Sequence, residues 1–140
     1  MEIKIGERTV PVLLSTLEMA EIQEEIGCTV GQLRDEVFGL QVDLETDKVT
    51  FGIVEDGKKI KKFATLIRIL GNAGLEEAGQ EPDLTDKWIL RHMKPGMIMA
   101  YVVGITAVIN ESMEIETGEK KEGPVDEVLE EENRKKEPET

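Results

Sequence analysis

At 140 residues the chain is long enough for one domain and too short for two. Its formal charge of -13 opposes direct binding to nucleic acid or to an anionic membrane surface, because like charges repel. A single cysteine, Cys28, excludes an intrachain disulfide and fits a reducing compartment.

The charge is uneven. From Glu111 onward there are 12 acidic and 5 basic residues, a net of -7, which leaves -6 for the first 110. Met1-Glu2-Ile3-Lys4 lacks the basic region and apolar run of a signal peptide, so no export is expected. The longest nearly unbroken apolar run, Gly96 to Ile109, has 14 residues and is too short to span a bilayer.

Glu2–Ile5 and Arg8–Val12 alternate around Gly6-Glu7, which predicts a tight hairpin. Pro11 has no N–H for a ladder, so the second strand ends there or lies at an edge. Ser15-Thr16-Leu17-Glu18 matches a capping box. It opens a helix with Leu17, Met19, Ile22 and Ile26 on an apolar face, with Glu18, Glu21, Glu24 and Glu25 outside, and Gly27 as its stop. Thr29-Val30-Gly31-Gln32 repeats the capping pattern and begins a shorter helix through Val30, Leu33, Val37 and Phe38, stopped at Gly39. Between Leu40 and Asp56 two alternating runs flank Glu45-Thr46-Asp47-Lys48, which leaves a second hairpin and an ordered loop both open.

Ile60, Phe63, Ala64, Leu66, Ile67 and Leu70 recur at helical spacing and predict a third helix from Gly57 to Leu70. A short helical piece through Leu75 to Ala78 is expected next, set off by Gly71, Gly74 and Gly79. Asp83 or Thr85 then caps a helix with Leu84, Trp88, Ile89 and Leu90 that ends before Pro95-Gly96. Met97 to Ile109 forms the last helix, and its nearly all-round hydrophobicity places it at the centre of the fold or in a subunit interface. After Asn110 the chain turns to Glu, Lys, Gly and Pro, too polar to offset the entropy of ordering. The reading is therefore mainly α (α+β), an N-terminal β-hairpin and about five helices in residues 1–110, with an acidic, disordered tail at 111–140.

Catalytic groups are sparse. His92 and Cys28 are each the only one of their kind, on elements that give no reason for pairing, so a small buried thiol and a half-exposed ring are the expectation. No His/Cys cluster or Asp-rich calcium loop is present, and no metal or other cofactor is expected. Gly71-Asn72-Ala73-Gly74 follows a helix and lacks the Lys-Ser/Thr ending of a phosphate loop.

Three features point to binding. Lys58, Lys59, Lys61 and Lys62 gather at a helix start, where the macrodipole disfavours cations, as a docking patch for an acidic partner or for the protein's own tail would. An ordinary solvated face explains them too. Met93, Met97 and Met99 cluster around Pro95-Gly96, suited to an adaptable binding surface or to core packing. Val125, Val128 and Leu129 recur at i, i+3, i+4 in the tail, the spacing of a short helix that lies in a groove, although a solvated, inert tail is the reading its composition favours.

The chain resembles the tail assembly chaperones of long-tailed phages and prophages of Gram-positive bacteria. The residues that carry this are the hairpin followed by Ser15-Thr16-Leu17-Glu18-Met19 through Glu24-Glu25-Ile26-Gly27-Cys28-Thr29, then Ile67 to Gly79, and Pro82-Asp83-Leu84-Thr85-Asp86-Lys87-Trp88 on to Met93-Lys94-Pro95-Gly96. The acidic C-terminus fits as well, and the resemblance covers residues 1–110. It implies a non-enzymatic protein of the bacterial host cytoplasm that coats the helical tape measure protein, keeps it soluble, recruits tail tube subunits and is absent from the mature virion. It also implies a longer form made by ribosomal frameshifting that contacts the tube protein. Lysine codons are A-rich, so Lys120-Lys121 and Lys135-Lys136 are positions where such a slippery site could form. Coating a long client further suggests a homo-oligomer. The alternative is an acidic DNA mimic or regulatory protein that occupies a nucleic-acid-binding partner.

Overall fold

A computed structural model describes residues 1–114. The expectations placed further along, on tail disorder, on Val125–Leu129 and on the paired lysines, lie outside the described residues. The fold is mainly α with an N-terminal hairpin and five helices, as the periodicity predicts. Strands β1 (Glu2–Ile5) and β2 (Arg8–Pro11) pair antiparallel with Ile3 opposite Val10, turning at Gly6, whose φ of 62° suits glycine. Alternation puts Ile3, Ile5 and Val10 on the inner face.

Helix α1 (Thr16–Ile26) begins at the capping box: the Glu18 carboxylate accepts from the Ser15 N–H at 2.8 Å. That bond turns Glu18 inward and leaves it buried, while Leu17 is 61% exposed. Only the first turn departs from the expected face: Ile22 and Ile26 are buried and Met19 packs on the core, whereas the box brings Glu18 inward in place of Leu17. Thr29 caps the next segment in the same way through Gln32, and a 3-10 turn (Val30–Gln32) leads into the short α2 (Leu33–Glu36). The open segment resolves as a hairpin, β3 (Leu40–Asp43) with β4 (Lys48–Phe51), in which Leu40 faces Phe51 and Val42 faces Val49.

A 3-10 turn (Gly52–Glu55) precedes α3 (Gly57–Glu77), which is the central element: it packs on α1, on β2 and on α4 (Asp86–His92). Asp56 caps it, its carboxylate accepting from the N–H groups of Lys58 and Lys59 at 3.0 and 3.2 Å. The carboxylate also offsets the lysines crowded at the positive end of the helix dipole. Gly71 and Gly74 do not end this helix. A Cβ on Gly74 would lie 2.2 Å from the Pro11 carbonyl oxygen, and one on Gly71 2.5 Å from Leu84 Cδ1. The two glycines form a bare helix surface on which the end of β2 lies so closely that the Leu13 N–H donates to the Leu70 carbonyl at 3.0 Å. Asn72 beside them clamps the following loop, exchanging two hydrogen bonds with the backbone of Leu84. Gly79, at φ 76°, lies just beyond the helix end.

Thr85, not Asp83, caps α4 by accepting from the Trp88 N–H. A 3-10 turn (Pro95–Met97) then starts α5 (Ile98–Ser112), which runs past the expected boundary at residue 110. Helix α5 is not at the centre. Ile98, Val102, Ile105 and Val108 form one buried stripe, while Ala100, Val103 and Ala107 face outward. Its composition is apolar all round because alanine and glycine count as apolar, but the large residues that seal the core lie mainly on one side.

Candidate functional site

The corner between α4 and α5 lies against the turn of the first hairpin. A Cβ on Gly6 would sit 3.6 Å from His92 Cβ, so the turn and the end of α4 are in contact. His92 Nδ1–H donates to the Trp88 carbonyl at 2.8 Å, and the two rings stack with centroids 4.3 Å apart. The Arg8 guanidinium lies 5.7 Å from the Trp88 ring centroid and pairs with Asp83 at 2.8 Å. That hydrogen bond holds the Asp83 carboxyl below the usual carboxylate range.

In front of this stack Lys4, Gly6, Glu7, His92, Lys94, Met97 and Tyr101 enclose a cavity of about 330 Å³. Its wall is apolar in Met97 and Tyr101, cationic at Lys4 and Lys94 and anionic at Glu7. From Met97 the surface continues along the outer face of α5 through Ala100, Val103 and Ala107. Met97 is 47% and Val103 64% exposed, both well beyond what core packing leaves open. Val103 and Ala107 are one turn apart, with half-buried Gly104 between them.

The three methionines do not share a role. Met93 is a core residue at the end of α4, Met99 is half-buried, and Met97 alone is open. The four lysines also divide. Lys59 extends its ammonium onto the carbonyls of Asp35 and Glu36, at 3.4 and 3.0 Å, and so caps the end of α2 where a cation is favoured. Lys62 is half-buried near Cys28, and Lys58 and Lys61 are solvated. The lysines thus neighbour α2, whereas Met97 neighbours the first hairpin. Tyr101, Val103, Lys4 and Lys94 were not singled out from the sequence. The split of α5 into a β-branched side and a small-residue side was the available signal.

Cys28 and His92 lie in different surroundings. Cys28 is buried, and burial pushes its thiol pKa up against the opposing pull of Lys62. His92 is exposed, against the expectation of a half-exposed ring. Among the described residues no three His, Cys, Asp or Glu side chains converge as a metal site requires. No single helix there is long and apolar enough to cross a membrane. No protein-family model, no curated protein and no solved structure matches this chain.

Proposed function

We propose that the chain is a tail assembly chaperone of a long-tailed phage or prophage of Gram-positive bacteria, which binds the tape measure protein, keeps it soluble and helps recruit tube subunits. The observation that supports this reading, beside the sequence resemblance, is the open apolar face of α5 from Met97 to Ala107. A helix this rich in alanine and glycine on its outer side lets a client helix approach closely, with Val103 and Met97 as the larger contacts. Burying such a side chain against a partner is worth about 1.5–3 kcal/mol. One copy holds weakly, and many copies along one filamentous client hold firmly. Lys4 and Lys94 supply cations beside the apolar strip, and the excess negative charge of the chain keeps unoccupied copies apart.

Co-expression with the tape measure protein encoded beside it tests the reading. The full chain is expected to keep that protein soluble and to co-purify with it. A Met97→Asp/Val103→Asp variant with an unchanged circular dichroism spectrum is expected to lose both. If the wild type leaves the tape measure protein insoluble, the function is wrong. If the folded variant retains it, the surface is wrong.

A further inference from the structure

A second cavity lies at the opposite end of α5, and nothing in the chaperone reading uses it. Its volume is about 260 Å³, and Leu33, Phe38, Leu40, Phe51, Ile109 and Met113 supply its apolar walls. Arg34 is its only charged lining residue, exposed and in no ion pair among the described residues. The wall continues beyond the cavity. Leu40 and Val42 point to one face of the second hairpin, as do their partners Phe51 and Val49. Val42 and Val49 are each 54% exposed. An apolar strip therefore runs from the end of α5 out along the hairpin, with no described residue covering it.

The chain itself leads there. Met113 lines the cavity, and the described residues end one position later. The 26 residues that follow contain four large apolar side chains: Ile115, and the group Val125, Val128 and Leu129. Asp126, Glu127, Glu130, Glu131 and Glu132 surround that group, opposite in charge to Arg34.

We propose that the segment Val125–Leu129 of the same chain docks on this groove, its three apolar side chains on the strip and its carboxylates towards Arg34. Reach is no obstacle. Residues 115–123 span up to about 30 Å, and the groove begins where they begin. A connection this short gives an effective concentration of about 1 mM, so a contact with an intrinsic Kd of about 0.1 mM is occupied about nine-tenths of the time. The tail then covers one apolar surface while the outer face of α5 stays open.

The test uses the full chain labelled with carbon-13 in its methionine methyl groups, where Met113 reports on the groove and Met97 on the other end of α5. The Met113 resonance of the wild type is expected to differ from that of Val128→Asp/Leu129→Asp, with Met97 unchanged. Leu40→Asp, at a half-buried hairpin position, is expected to abolish the Met113 response to those tail substitutions. Arg34→Glu is expected to weaken the docking, and Glu130→Lys/Glu131→Lys in that background to restore it. An identical Met113 resonance in wild type and tail variant overturns the proposal. A response that survives Leu40→Asp overturns the groove. One that grows with protein concentration overturns docking within a single chain, because the tail then comes from another copy.

Discussion

Replacing Gly74 with alanine tests the close approach of β2 to α3, where an added Cβ has the least room of any described glycine. In an open helix the change is favourable by about 1 kcal/mol, since alanine loses less backbone entropy. At Gly74 the new Cβ meets backbone: 2.2 Å from the Pro11 oxygen, 2.4 Å from its carbonyl carbon and 2.7 Å from the Val12 nitrogen. Backbone cannot rotate away as a side-chain tip can, so β2 must retreat by about 1 Å to reach ordinary van der Waals separation. That lifts Val10 and Val12 off α3 and stretches the Leu13–Leu70 hydrogen bond, itself worth about 1 kcal/mol. With an overpacking cost of about 3 kcal/mol, the net loss is about 3 kcal/mol, a large part of the ~5–15 kcal/mol that holds a domain folded. Urea unfolding followed by far-ultraviolet circular dichroism reads this as a lower midpoint at unchanged slope, with Tm about 10 °C lower. Gly104→Ala is the control. The same atom added there meets nothing within 4 Å, and it is expected to stabilise by about 1 kcal/mol. If the two variants shift stability in the same direction, the account of β2 lying on a bare helix surface is refuted.

Two further outcomes follow from titratable groups. Burial raises the pKa of Glu21, and the charges of Glu18, Glu25, Glu76 and Glu24 raise it further. A carboxyl whose folded pKa lies above its unfolded value loses stability as pH rises from the unfolded value through the folded one. Glu21→Gln is therefore expected to raise Tm at pH 7 and to leave it unchanged at pH 3, where the carboxyl is protonated in both states; an equal gain at both values excludes the electrostatic cause. Cys28, buried and with its thiol pKa pushed up, is expected to react with a disulfide reagent far more slowly in the native protein than in urea. Equal rates in the two conditions show that the thiol is open in the native fold.

Features set by adjacent residues were legible in the sequence. The capping boxes at Ser15 and Thr29 and the turns at Gly6, Gly27 and Gly39 each depend on a few neighbours, and all appear where local chemistry puts them. Gly71 and Gly74 read as a helix stop because glycine serves a left-handed cap and a close approach equally well. What separates the two is a strand far earlier in the chain, which no local pattern contains. The second hairpin stayed ambiguous because residues 41–50 are exposed throughout, so its alternation records no burial. The methionine cluster shows the same limit at the candidate site. Met93 and Met97 are neighbours in sequence, but the turn at Pro95 sends one inward and leaves the other outward. The cap at Asp56 is masked in the sequence by the four lysines after it, since cations disfavour a helix start unless a capping carboxylate offsets them.

Helix α5 separates folding from binding in a way that makes both proposals testable. Its inner stripe of Ile98, Val102, Ile105 and Val108 seals the core, and substituting a charge there opens the fold itself. Its outer residues contribute little to that core. A Val103 that is 64% exposed has most of its apolar surface still in water, so its burial has yet to stabilise anything within the chain. On the proposed reading an aspartate at Met97 or Val103 is therefore expected to remove client contact with little effect on Tm. An aspartate at Val128 or Leu129, if it removes a contact occupied about nine-tenths of the time, is expected to lower stability by about 1.4 kcal/mol. The two apolar surfaces use different residues of α5 and its ends, Met97 and Val103 for the first and Ile109 and Met113 for the second, so each is tested by its own substitutions. The acidic charge, the most conspicuous property of the sequence, enters neither contact as its main source of affinity. On the same reading it keeps copies with open apolar faces apart, and in the tail it would add a direction to the contact proposed for Val125, Val128 and Leu129.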